Sequence, residues 1–119
     1  RGQSTRVELR SPDPACNPYL AVAACLAAGL DGIARGLTPP PEIPEDIYAM
    51  DEAARAANNI GSLPETLKDA LDAMEADPLI MDVLGDHVAR HYIEGKRKEW
   101  AEYQARVSGW ELEKYLVTY

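Results

Sequence analysis

The sequence predicts a mainly α-helical segment of an α+β fold, led by one N-terminal β-strand. Three observations carry that expectation. In residues 4–10, STRVELR, Thr5, Val7 and Leu9 alternate with Arg6, Glu8 and Arg10, the period of two that a strand with one buried face imposes. Residues 19–37, YLAVAACLAAGLDGIARGL, are rich in Ala and carry no charge before Asp31, as suits a helix packed closely on several sides. Beyond residue 60, apolar side chains recur at helical spacing between capping residues.

The elements follow in order. Pro12 and Pro14 keep the residues before them extended, and Asp13 suits a turn. Asn17 then caps a helix with Pro18 at its first position, and Gly32 or Gly36 ends it. Four prolines between residues 39 and 44 mark an extended surface excursion with a short helix over Asp51 to Ala57. Tyr48 lies in this loop, either anchoring it to the body or offering a modification site. LPETLKDALDAMEAD is amphipathic, with Leu67, Ala70, Leu71 and Met74 on one face, and Thr66 with Asp69 is preferred to Ser62 with Glu65 as its capping pair. Asp77 and Pro78 open a short helix that Gly85 closes. A long helix spans Asp86 to Val107 with Val88, Tyr92, Trp100, Tyr103 and Val107 as its apolar stripe, and EGKRKEW is a solvated charged face. Ser108 and Glu111 open a last helix, GWELEKYL, bearing Trp110, Tyr115 and Leu116.

The chain of 119 residues, 46% hydrophobic and 27% charged, reads as one globular segment. Its net charge of -8 argues against nucleic acid or an anionic membrane surface as the main partner. Nothing at the start resembles a signal peptide. The longest apolar run, Tyr19 to Leu30, is short of the ~20 residues that span a bilayer. Cys16 and Cys25 have no metal-ligand spacing and are expected as reduced, buried thiols of a cytoplasmic protein. The lone strand needs ladder partners and the first residue is Arg1, so the sequence is expected to be a piece of a longer chain with its missing strands upstream.

Two constellations carry candidate chemistry. His87 and His91 are four apart on a helix, which puts both imidazoles on one face. Zinc proteases place a Glu directly after the first such His, where this chain has Val88, so surface histidines are the preferred reading. Arg6, Glu8 and Arg10 admit two readings. One is a salt-bridge ladder on an exposed face. In the other, residues two apart on a strand lie ~6.6 Å apart, so Glu8 could hold Mg²⁺ against a phosphate that a neighbouring guanidinium also grips. Two cations would also keep that carboxylate ionised.

The stretch STRVELRSPDPACNPYLAVAACLAAGLDGI resembles the beginning of the C-terminal part of bacterial-type (type I) glutamine synthetases. The resemblance continues in order through EDIY, LPETLKDALDAMEAD, LGDHVARHYIEGKRKEW and WELEKYL. The R-x-E-x-R run followed by PDPxxNPYL is its most specific part. It implies that residues 1–119 are the C-terminal part of a glutamine synthetase catalytic domain, with the N-terminal β-domain and the other metal ligands preceding them.

The resemblance further implies ATP-dependent ligation of ammonia to glutamate through γ-glutamyl phosphate. On it, Glu8 is a ligand of Mg²⁺ or Mn²⁺ bridging the ATP phosphates, Arg6 reaches those phosphates, and Arg10 is catalytic, meeting the glutamate side-chain carboxylate and the transferred phosphoryl group. Active sites form between subunits, in a dodecamer of two stacked rings to which the last helix contributes a ring-to-ring contact. The segment alone is expected to be inactive. Tyr48 falls where one subgroup carries an adenylylated Tyr, but AMDEAARAANNIGSLPETL resembles the subgroup without that control. Three other readings stand beside this one: a related ligase joining glutamate to polyamines or other amines, a non-catalytic structural or regulatory relative, and a metal-binding helical module built on His87 and His91.

Overall fold

Each helix begins where a short polar side chain can accept the first free backbone N–H groups. In the computed structural model, which describes residues 4–116, α1 spans Pro18–Ala34, and Asn17 Oδ1 accepts from the N–H of Tyr19 and Leu20 at 3.0 and 3.4 Å. A single 3₁₀ turn covers Ile47–Ala49 behind Asp46, and α2 spans Glu52–Ala57 behind Asp51. Thr66 caps α3, Leu67–Ala76, and Asp77 caps α4, Pro78–Gln104. The last helix, α5, covers Gly109–Tyr115. There Ser108 and Glu111 form the reciprocal capping box that their spacing predicts. The hydrogen bonds that the Ser108 backbone and hydroxyl donate hold the Glu111 carboxyl below its ordinary range.

The ends of α1 and α2 obey equally local rules. Gly36 takes φ +62°, and the N–H of Leu37 reaches back to the Gly32 carbonyl at 2.9 Å while Gly36 N–H reaches Ile33 at 3.1 Å. Those two bonds make a Schellman close, for which glycine is the residue without a Cβ penalty. Asn59 plays the same part after α2 at φ +55°.

Gly85 divides α4. Its φ of +70° and ψ of 156° are not helical and kink the helix at this point, so the stretch behaves as the two helices that the sequence suggests, fused into one. A Cβ on Gly85 would meet nothing within 4 Å, so only the backbone conformation demands glycine. Gly85→Ala should therefore lower stability by about 1–3 kcal/mol, read as a displaced urea midpoint with an unchanged slope. An unaltered midpoint would mean that the kink is not held in the native state.

α1 and α3 both pack against α4. The residues they bury are Leu71 of α3 at 2% exposure and Ala89 and Ile93 of α4 at 0% and 7%. Ala89 is small enough to let two helices approach. This corrects the expected stripe: Val88, Tyr92, Tyr103 and Val107 are exposed. Arg97 ties α3 to α4 from outside by pairing with Asp72 at 3.3 Å and with Glu75. The Lys68 ammonium at 2.5 Å, with Arg97 behind it, draws the Asp72 carboxyl down.

The expected N-terminal strand is absent. Residues 5–10, including Thr5, Val7 and Leu9, have no regular secondary structure, and no strand or sheet occurs among the described residues. A strand exists by virtue of its ladder, and residues 5–10 have no neighbour to exchange N–H···O bonds with. The described fold is therefore helical rather than α+β. The same want of partners leaves Val22, Leu26, Leu30 and Ile33 exposed along α1. It also leaves Cys16 and Cys25 exposed, against the expectation of burial, as free thiols. The radius of gyration is 19.1 Å, against about 13.5 Å for a compact domain of this length. Helices arranged this openly bury little apolar surface.

Candidate functional site

Residues 6–10 keep their alternation without being a strand. Val7 and Leu9 sit over α1 and, with Val22, Leu26, Leu30 and Ile33, line an open apolar groove. Arg6, Glu8 and Arg10 carry the charge. Glu8 lies between the guanidinium groups, its Oε1 accepting from Arg10 Nε at 2.7 Å and its Oε2 from Arg6 Nη2 at 3.5 Å. The structure thus brings together all three residues singled out in the sequence. Among the described residues no other charged side chain pairs with them. All three are solvent-exposed, so the pairing by itself contributes little stability.

Chemically the cluster offers two fixed positive forks and one carboxylate. A carboxylate has about four lone-pair positions, and each Glu8 oxygen uses one of them on an arginine. Capacity remains for a hard cation, which takes oxygen ligands. The guanidinium groups keep unpaired N–H donors suited to phosphate or carboxylate oxygens. One carboxylate is a contribution to a metal site, not a whole one: no group of three or more His, Cys, Asp or Glu placed to hold a metal occurs among the described residues.

The other candidates lie apart from this cluster. Tyr48 stands in the 3₁₀ turn with its side chain 99% exposed, so it does not anchor the loop. His87 and His91 share a face of α4 as their spacing requires, with ring centroids 4.3 Å apart. The apolar groove beneath the charged residues was not foreseen as a feature, although the Val7 and Leu9 positions already signalled a side facing something apolar.

Residues 1–115 match the family model described as "Glutamine synthetase, catalytic domain". The chain belongs to the glutamine synthetase catalytic-domain family. Among curated relatives, glutamine synthetase of Thermus thermophilus is 51% identical over 119 residues, covering 100% of this chain and 27% of that protein. Glutamine synthetase of Halobacterium salinarum is 54% identical over 115 residues, 97% of this chain and 25% of that one. A solved structure described as a GmaS/ADP complex superimposes with a TM-score of 0.76 at 39% identity, over 91% of this chain and 24% of its own. The chain spans about a quarter of the length of the relatives it matches. Membership of the glutamine synthetase family places the Arg6, Glu8 and Arg10 cluster inside the matched region. No helix among the described residues is long and apolar enough to cross a membrane.

Proposed function

We propose that residues 1–119 are the C-terminal part of a glutamine synthetase catalytic domain, working within a longer polypeptide that joins ammonia to glutamate at the expense of ATP. The observation that carries this reading is the Arg6–Glu8–Arg10 cluster lying within a family match that runs nearly the whole length of the chain. The unpartnered apolar side of α1 and of Val7 and Leu9 supports the domain assignment. A surface of that kind in a stable protein is covered, and strands from the rest of the polypeptide would cover it.

In the reaction, an oxygen of the glutamate side-chain carboxylate attacks the γ-phosphorus of ATP and ADP leaves. Ammonia then attacks the acyl carbon of γ-glutamyl phosphate, inorganic phosphate leaves, and the nitrogen gives up a proton. Both steps move negative charge among crowded oxygens, so positioning and charge neutralisation contribute most of the acceleration. Arg10 donates to the glutamate carboxylate and to the transferred phosphoryl oxygens. Arg6 donates to the ATP phosphates and fixes their direction. The similar solved structure described as an ADP complex supports nucleotide binding by the complete polypeptide.

Glu8 would hold a divalent cation, Mg²⁺ or Mn²⁺, together with ligands from the rest of the polypeptide. The cation, when bound, supplies Lewis-acid neutralisation of the phosphate charge. Arg6 and Arg10 hold the Glu8 side chain between them, and it is as a carboxylate that a Glu ligates a metal. The complete enzyme is proposed to be cytoplasmic and to assemble as two stacked rings. The exposed Trp110, Leu112 and Tyr115 of α5, with Leu116 just after it, suit a contact between rings.

The test is an assay of the complete polypeptide with ATP, Mg²⁺ and glutamate, offering ammonium, methylamine or a polyamine in turn. Glutamine is the expected product, with ammonium the preferred acceptor, and the 119-residue chain alone is expected to give none. Preference for another amine would reassign the enzyme as a γ-glutamyl-amine ligase. ADP release with none of the acceptors would overturn the ligase reading.

A further inference from the structure

His87 and His91 take no part in the chemistry above, yet their geometry is that of a ligand pair. Both lie on the segment of α4 that follows the Gly85 kink, one helical turn apart. Their ring centroids lie 4.3 Å apart with the planes tilted by 39°. His91 Nδ1 lies 2.8 Å from the carbonyl oxygen of His87. A carbonyl only accepts, so Nδ1 carries the ring proton and the neutral ring keeps its lone pair on Nε2. That is the arrangement found behind metal-ligating histidines, whose second nitrogen donates to a backbone carbonyl and so fixes both tautomer and ring direction. His91 is thus oriented, with Nε2 left to ligate. His87 is exposed and can turn its own nitrogen to the same point.

We infer that His87 and His91 form a bidentate imidazole site on the surface of α4 for a borderline transition-metal ion. With two nitrogens and no carboxylate in the pair, the site favours Cu²⁺ over Ni²⁺ and Zn²⁺ and ignores Mg²⁺, following ligand softness and the order of divalent affinities. Water completes the coordination. The ion bridges residues one turn apart, so it stabilises α4 just beyond its kink, because binding to the folded state alone raises stability. This site is separate from Glu8 and its oxygen chemistry, and it stands whether or not the ligase reading does.

The complete polypeptide, stripped of metal and then saturated with Mg²⁺ to fill its oxygen-ligand sites, is titrated with Cu²⁺, Ni²⁺ and Zn²⁺ by calorimetry and, for Cu²⁺, by electron paramagnetic resonance. One equivalent per chain is expected, with hyperfine splitting from two nitrogens and affinities ranked with Cu²⁺ first. His87→Asn and His91→Asn should each weaken Cu²⁺ binding at least tenfold and leave a one-nitrogen spectrum, while Mg²⁺-supported turnover stays unchanged. Binding that survives undiminished in both variants, or no nitrogen-ligated Cu²⁺ in the parent protein, overturns the site. Circular dichroism of the variants verifies that any loss is not a loss of fold.

Discussion

Replacing Arg10 by Ala in the complete polypeptide should depress kcat by ~10²–10³-fold, the usual consequence of deleting one preorganised donor to transition-state charge. The ATP dissociation constant should change much less, by roughly threefold or under, because Arg10 is assigned to oxygens that gain charge during transfer rather than to the ground-state nucleotide. Arg10→Lys should recover little of the rate. An ammonium is a point charge without the planar fork that grips two oxygens at once, and the Nε that Arg10 now gives to Glu8 at 2.7 Å would have no counterpart. Single-turnover formation of ADP, measured beside equilibrium ATP binding, separates the two effects. An Arg10→Ala enzyme of unchanged rate would remove the phosphoryl-transfer role.

The second large effect is expected at Glu8. Glu8→Gln keeps the shape of the side chain and removes the charge, so the Mg²⁺ concentration for half-maximal activity should rise at least ~10-fold. High Mn²⁺, which binds nitrogen and oxygen ligands more tightly than Mg²⁺, should restore part of the rate. Arg6 and Arg10 would meanwhile lose the anion that holds them together, so some of the loss should persist at saturating metal. A metal requirement identical to the parent's would show that Glu8 serves only the two arginines.

What the sequence displayed well was local. Asn17, Asp51, Thr66, Asp77 and Ser108 accept hydrogen bonds from backbone N–H groups within three residues of themselves, and such bonds depend on little else. Gly85 was legible for the same reason, since a positive φ is a property of one residue, whereas the sequence left Gly32 and Gly36 as alternatives and the structure shows Gly36 at positive φ. The strand at Thr5, Val7 and Leu9 was misread because alternation reports which side chains share a face, whereas a strand requires a second chain segment to pair with. The face of α4 was misread for a related reason. Large apolar residues such as Val88 and Tyr92 draw attention, but α1 and α3 pack over Ala89 and Ile93, and only the tertiary arrangement decides that.

The candidate site shows the same division. The alternation placed Arg6, Glu8 and Arg10 on one side, and the structure keeps them in contact without any ladder. The role proposed for the three charges rests on the family to which the chain belongs. Neither periodicity nor charge could distinguish an exposed ion-pair ladder from a phosphate cradle.

The most direct measurement is an experimental structure of the complete polypeptide with Mg²⁺ and ADP bound. Glu8 is predicted to place a carboxylate oxygen ~2.1 Å from the cation, with Arg6 and Arg10 within ~2.7–2.9 Å of phosphate oxygens or of the glutamate carboxylate. If the three side chains instead point to open solvent, away from nucleotide and metal, the proposed role of this segment in catalysis is wrong.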